Sequence, residues 1–342
     1  MIEPGADWRG SGCHHPLLGK VGGGSKASVS VQNGLEEIEC EVNLGMSYKD
    51  YVNPDLVWTP EQLRDRIGDR KGDDLVLIDT RPAPDFCAGH IEGAAHLDLY
   101  GISLNDTRPE PLAAFVWTLA YLMEIRGVEY DKTVVFYEQN TGVRAARGFW
   151  FLEYLGHEDV HVLDGGITAW RGAGLPLTRE AWPMYGSGPD IRPTEGSRIV
   201  RTGFSKHLKQ PVESRLATAQ YIFDHLKDPN VRIHDARSDA EYYGEHVRAA
   251  RGGTVPGAVH LEWVHFIGPE GALKPAAELR AMLEERGLTP DKEIVPLCHG
   301  GYRSAHAYLV YRLLGYPRAR NYLGSWKEWG DHTDLPIEVP TR

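Results

Sequence analysis

The sequence predicts an α/β fold built twice in tandem, each domain a parallel sheet flanked by helices on both faces. Three observations carry that expectation. Short apolar runs such as Leu75–Ile78 alternate with segments of helical period, the pattern of parallel strands joined by helical crossovers. Arg144, Leu155-Gly156 and Trp170 recur as Arg303, Leu314-Gly315 and Trp329, every pair 159 positions apart, and a period of domain size reads as duplication. The chain has 342 residues, too many for one ordinary core and suited to two at ~150 each.

Residues 1–50 read as a flexible extension, because Gly22-Gly23-Gly24-Ser25 and Ser28-Val29-Ser30 sustain neither period. The first domain is expected over 51–180. Thr59-Pro60-Glu61 signals an N-cap with proline at the first helical position, and Leu63 and Ile67 then share one face. Leu75–Ile78 closes on Asp79 as a buried strand should. Residues 181–198, with Pro183, Gly186, Gly188, Pro189 and Pro193, are the natural linker. The second domain follows over 199–342. There Val231–Ile233 ends in Asp235-Ala236-Arg237, echoing Asp79-Thr80-Arg81, and Gly257–Leu261 echoes Gly93–Leu97. Ala305, Leu309 and Leu313 repeat every four residues before Gly315, a C-cap candidate.

Composition narrows the function classes. Lys and Arg number 37 against 48 Asp and Glu, a formal net charge of −11, which argues against a nucleic-acid binder. No apolar stretch reaches the ~20 residues of a membrane span, and Met1–Gly34 lacks the apolar core of a secretory signal. Cys13, Cys40, Cys87 and Cys298 form no disulfide framework and have the wrong spacing for a paired metal site, so a reduced, cytoplasmic setting is expected. Cys13-His14-His15 lacks a second ligand pair, and no metal is expected. Cys87 reads as a packing cysteine.

The chemistry concentrates in Cys298-His299-Gly300-Gly301-Tyr302-Arg303-Ser304, between the strand Glu293–Leu297 and the helix that begins near Ser304. Sites in parallel sheets form where strands end and helices start. Gly300 and Gly301 let the backbone curl its N–H groups inward, the helix adds about half a positive charge, and Arg303 adds a full one. Such a loop should lower the thiol pKa from its usual ~8.5 and favour a nucleophilic thiolate. Taken alone, a cysteine after an apolar strand would be an inert core residue. Two glycines, a histidine and an arginine within five positions speak for the nucleophile. Pro296 deletes one ladder donor inside the preceding strand.

Cys298-x-x-Gly301-x-Arg303-Ser304 resembles the active-site loop of the rhodanese family of sulfurtransferases. The supporting segments Asp235-Ala236-Arg237, Arg251–Ala258 and Gly324–Gly330 are similar too, as are Gly89–Ala94 and Leu163–Gly166 of the first copy. The match spans about residues 56 to 340 and is nearest to the two-domain thiosulfate sulfurtransferases. It implies two rhodanese-like domains, a catalytic second and a non-catalytic first. It implies further that Cys298 takes sulfur from a small anionic donor as a persulfide and passes it to a thiophilic acceptor, cyanide or a thiol, with no cofactor. A protein acceptor stays open; nucleic acid and membrane are not expected partners. At the 159 spacing Cys298 corresponds to Gln139, beside Glu138.

The resemblance gives donor-binding roles to Arg303, Arg237, His299, Gly300, Gly301, Tyr302 and Ser304, and places Arg251 and Asp235 as further candidates. For Arg237 an ion pair with Asp239 or Glu241 is the equal alternative. His299 either adds charge at lower pH or faces solvent. Tyr302 lines the pocket or covers the loop, and Trp326 and Trp329 pack the domain. Phosphatases of this fold have a longer loop than the four residues His299–Tyr302, which ring one sulfur better than a phosphate. Thiosulfate-using relatives often carry Arg or Lys where this chain has His299. That keeps 3-mercaptopyruvate in play as donor, although its users usually lack the arginine. A regulatory module without chemistry is the remaining alternative.

Overall fold

A computed structural model describes residues 26–31, 38–43, 47–69, 74–180 and 211–342. The expected linker 181–198 and Cys13-His14-His15 lie outside the described residues. The chain divides into two compact units, Met1–Ser47 and Tyr48–Arg342. In the first, β1 (Lys26–Val31) pairs antiparallel with β2 (Ile38–Asn43), Lys26 opposite Asn43. The sequence reading expected no strand there. Both segments do carry the period-two alternation of a strand, Ala27-Val29-Val31 and Ile38-Cys40-Val42, which the glycine-rich flank masks.

The second unit holds the duplication. Its first half runs β3 (Val57–Trp58), α1 (Pro60–Gly68), β4 (Leu75–Asp79), α2 (Ala83–Ala88), β5 (Ala94–His96), α3 (Pro109–Glu124), β6 (Thr133–Tyr137), α4 (Val143–Tyr154), β7 (Val160–Leu163) and α5 (Gly166–Gly172). Thr59 and Gln62 form the capping box that starts α1, each side chain bonded to the other's backbone N–H. All five strands are parallel, in the order β3-β7-β6-β4-β5.

The second half repeats this as β8 (Leu216–Ala217), α6 (Ala219–His225), β9 (Val231–Asp235), α7 (Asp239–Tyr242), β10 (Val259–His260), α8 (Ala276–Glu284), β11 (Glu293–Leu297), α9 (Arg303–Leu313), β12 (Asn321–Tyr322) and α10 (Ser325–Asp331). Gly315, at φ +78°, terminates α9, and Tyr316 N donates back to Tyr311 O, so the expected C-cap forms. Here the sheet splits into β10-β9-β11 and β12-β8. Pro296 explains the split. Ile294 exchanges both hydrogen bonds with the segment that leads into β12, donating to Arg318 O and accepting from Arg320 N. The next donor on that edge is residue 296, and proline has no N–H. The opposite edge stays paired with β9 along its whole length, so Cys298 is still delivered by a fixed strand.

The core has three layers. Alternate residues of β4 and β6 face opposite ways: Leu75, Leu77 and Val135 outward, Val76, Ile78, Val134 and Phe136 inward. The inward set belongs to one cluster shared by both halves, with Leu119, Phe149 and Trp150 from the first and Leu279, Tyr308 and Leu309 from the second. Packing of α4 against α9 thus welds the two domains around the start of α9, where the cysteine loop ends. No described helix is long and apolar enough to cross a membrane.

Candidate active site

β11 ends at Leu297 and hands Cys298 to the turn before α9. Gly301 N donates to the Cys298 sulfur at 3.2 Å, and the Ser304 hydroxyl lies 3.6 Å from it. Gly301 needs to be glycine twice over: its φ is +84°, and a Cβ there would stand 2.7 Å from both Leu323 O and an Arg147 guanidinium nitrogen. From below, Cys298 N donates to Ser325 Oγ at 3.1 Å, whose own proton goes to Tyr322 O. Ser325 holds φ +53°, a strained conformation for a non-glycine residue, and there it starts α10 against the loop. Trp326 N and Lys327 N donate to Cys298 O and His299 O, both at 2.9 Å.

Cys298 is 1% exposed, and burial alone would push its thiol pKa up. The charge of Arg303, the N–H groups of Ser304 and Gly300 and the Ser304 hydroxyl more than offset that, so its pKa falls below the ordinary thiol value. Arg303 grips Glu241 through a fork, 2.5 and 2.9 Å, and Arg248 reaches the same carboxylate at 3.3 Å. Burial would raise the Glu241 pKa, but Arg303 and Ser238 hold it at about 2. His299 is pushed down to about 4, by burial first and then by Arg248, so it is neutral at pH 7. Of the two readings of His299, charge is confined to pH below about 4, beside the already cationic Arg248 and Arg303, and the ring is half-buried rather than turned to solvent. Among the described residues, no cluster of three His, Cys, Asp or Glu side chains could hold a metal.

Two segments, residues 59–173 and 218–332, match the Rhodanese-like domain family. The chain belongs to the rhodanese family. It is 36% identical over 290 residues to a thiosulfate sulfurtransferase of Azotobacter vinelandii, covering 85% of this chain and 99% of the relative. A thiosulfate sulfurtransferase of Pseudomonas aeruginosa is 35% identical over 285 residues, covering 83% and 97%. The sulfur carrier protein TtuD of Thermus thermophilus is 34% identical over 306 residues, covering 84% and 98%. The anaerobic ergothioneine biosynthesis enzyme of Chlorobium limicola shares the fold at TM-score 0.69 and 22% identity, covering 85% of this chain and 72% of that one. Sulfur transfer is the activity that goes with this membership.

Both rhodanese domains build the same nest, and the structure corrects which residue of the first fills it. Tyr137 pairs with Asp79 as Leu297 pairs with Asp235, so the next residue, Glu138, stands where Cys298 does. The flanking bonds agree: Ile167 N and Thr168 N donate to Glu138 O and Gln139 O, just as Trp326 N and Lys327 N do to Cys298 O and His299 O. Gln139, expected from the 159 spacing, is one position off because the first loop is one residue longer. The Glu138 carboxylate accepts from Arg144 N at 2.6 Å and Ala145 N at 3.2 Å, filling with its own oxygen the place the sulfur takes in the second copy.

Several expected donor-binding residues turn out to frame the rhodanese fold. Arg237 pairs neither with Asp239 nor with Glu241 but forks onto Asp235 and caps Gly253 O at 2.7 Å. Arg81 does the same to Asp79 and Gly89 O in the copy without a cysteine, so this motif, Asp235 included, is architecture. Arg251 binds the carbonyls of Trp329, Gly330, His332 and Leu335 and clamps the end of α10. Tyr302 reaches with its hydroxyl into the first domain, 2.7 Å from Leu99 O and 2.9 Å from Ile102 O. Trp326 and Trp329 are buried in the core as expected. Cys87 is exposed, against the expectation of packing, because the short α2 turns it outward. Sequence reasoning passed over Arg147, Glu241, Arg248 and Ser325 as site residues, since three act through tertiary contacts and Arg147 lies in the other copy.

Proposed function

We propose that this rhodanese moves the outer sulfur of thiosulfate to cyanide or a thiol through a persulfide on Cys298. The observation that carries the reading is the Cys298 sulfur, buried among N–H donors and close to the charge of Arg303, which together lower its pKa. The thiolate attacks the outer sulfur, the S–S bond of the donor breaks, and sulfite leaves with the electron pair. The persulfide anion then takes up the loop N–H groups of Gly300, Gly301 and Ser304. In the second half-reaction the acceptor attacks the outer persulfide sulfur and Cys298 leaves as thiolate. With cyanide, or a thiol that arrives as its thiolate, no proton need move in either half, which suits a site whose histidine is neutral and whose arginines keep their protons.

The same charges favour a second donor. Arg303 and Arg248 share Glu241, so the three groups together carry one positive charge. That balance suits monoanionic 3-mercaptopyruvate as well as dianionic thiosulfate. Against it, sulfite departs as a stable anion whereas pyruvate must leave as an enolate and collect a proton. A phosphatase is disfavoured by the four-residue loop. Intact mass after incubation with thiosulfate should rise by one sulfur, and Cys298→Ala should show no rise. No added sulfur from either donor would sink the proposal, and turnover with cyanide ranks the two.

A further inference from the structure

We propose that Arg147, carried by the copy that lacks the nucleophile, is a positioning residue that aims the Gly300–Gly301 peptide at the Cys298 sulfur; this rests on sulfur transfer at Cys298 as read above. One peptide unit makes both contacts. Its carbonyl, Gly300 O, accepts from Arg147 Nη1 at 3.2 Å, and its N–H, on Gly301, donates to the sulfur at 3.2 Å. The C=O and N–H of a planar trans peptide point opposite ways, so a cation fixed on the oxygen turns the N–H toward the sulfur and polarises it.

Arg147 is held for this task. Its other nitrogen donates to Ile102 O at 3.0 Å, the carbonyl that Tyr302 also approaches, and its guanidinium lies 4.1 Å from the Tyr302 ring centroid. It is fully buried and forms no ion pair among the described residues. Burial lowers its pKa, and negative charge on the Cys298 sulfur is among the influences that oppose that. A buried arginine without a carboxylate is costly, and its partner here is the loop.

The duplication supplies an internal control. The equivalent of Arg147 in α9 is His306, and it reaches the other way: His306 Nε2 lies 3.0 Å from Thr141 O, the carbonyl three residues before Arg144 as Gly300 is three before Arg303. Each helix therefore braces the loop of the opposite domain. His306 is fully buried with a pKa near 4, so the brace on the Glu138 loop is neutral while the brace on the Cys298 loop is charged.

The test is the pH dependence of Cys298 alkylation by iodoacetamide, located by peptide mass spectrometry, in Arg147→Met, Arg147→Lys and His306→Gln. Arg147→Met should raise the alkylation midpoint by roughly one pH unit, Arg147→Lys by less, and His306→Gln not at all. With cyanide as acceptor, kcat should fall in Arg147→Met while donor KM holds, because Arg147 does not touch the donor. A folded Arg147→Met with the wild-type midpoint overturns the proposal, as does an equal rise in His306→Gln. If Arg147→Met does not fold, Arg147→Lys decides alone, and an unmoved midpoint and kcat overturn it. Alkylation needs no sulfur donor, so a wild-type chain that takes no sulfur would sink the function while leaving this outcome readable.

Discussion

Replacing Glu241 with glutamine should move stability and thiol reactivity in opposite directions. Glu241 is 4% exposed, and its pKa is held at about 2 against an ordinary 4.5, chiefly through the Arg303 fork opposing burial. A difference of that size, at 1.36 kcal/mol per unit, is about 3 kcal/mol of folding stability. Because the folded pKa is depressed, that contribution is complete above pH ~4.5 and is lost as pH falls toward ~2. Denaturant unfolding of wild type and Glu241→Gln should therefore differ by about 3 kcal/mol at neutral pH and converge on acidification. Glutamine keeps a side-chain acceptor for Ser238, so the start of α7 should survive. Meanwhile Arg303 loses its counter-charge and acts on the sulfur undivided, so the alkylation midpoint of Cys298 should fall and thiosulfate KM should drop. A stability gap that does not shrink with acid, or a thiol midpoint that rises, refutes the assignment of Glu241 as the group that tempers Arg303.

Three further outcomes follow from the same geometry. Gly301→Ala should lose ~1–3 kcal/mol of stability and most persulfide formation, read by unfolding and intact mass, because a Cβ at φ +84° meets backbone and Arg147. His299→Asn should leave the shape of the pH–rate profile unchanged above pH ~5.5, since His299 titrates near 4 and is neutral throughout that range. Arg251→Met should lower the midpoint of thermal unfolding while leaving donor KM unchanged, because its partners are four carbonyls around the end of α10.

Much of the frame was legible in the sequence because it rests on local chemistry. The Thr59 cap, the apolar strand before Cys298 and the glycine after α9 each announce themselves within a few residues, and each forms where expected. The domain count followed from the repeat. Roles that depend on tertiary partners were not legible. Arg237 and Arg303 are both arginines near strand ends, and only the fold decides which of them takes Asp235 and which takes Glu241. The mispairing of Gln139 with Cys298 has a similar origin. Every motif pair used to set the spacing lies on the helix side of the loop, so an extra residue between Glu138 and Arg144 leaves the spacing after it untouched. Strand register, which needs the neighbouring chain segment, exposes it at once.

The two loops answer one electrostatic problem in two ways. A strand end facing a helix start collects N–H groups whatever residue follows the strand, and such a nest needs an anion or hydrogen-bond acceptor. The first domain supplies a permanent one, the Glu138 carboxylate, whose pKa burial raises and which two backbone N–H groups hold in place. That closes the nest to any ligand. The second domain supplies a thiol, an acceptor only when ionised and one that can take on a further sulfur and give it up. Arg303 and the loop N–H groups offset most of the cost of keeping a thiolate buried, and in the proposal above the α4 cation on the Gly300 carbonyl adds to them from outside the domain. Removing the first domain should therefore raise the Cys298 pKa even where the second domain folds alone.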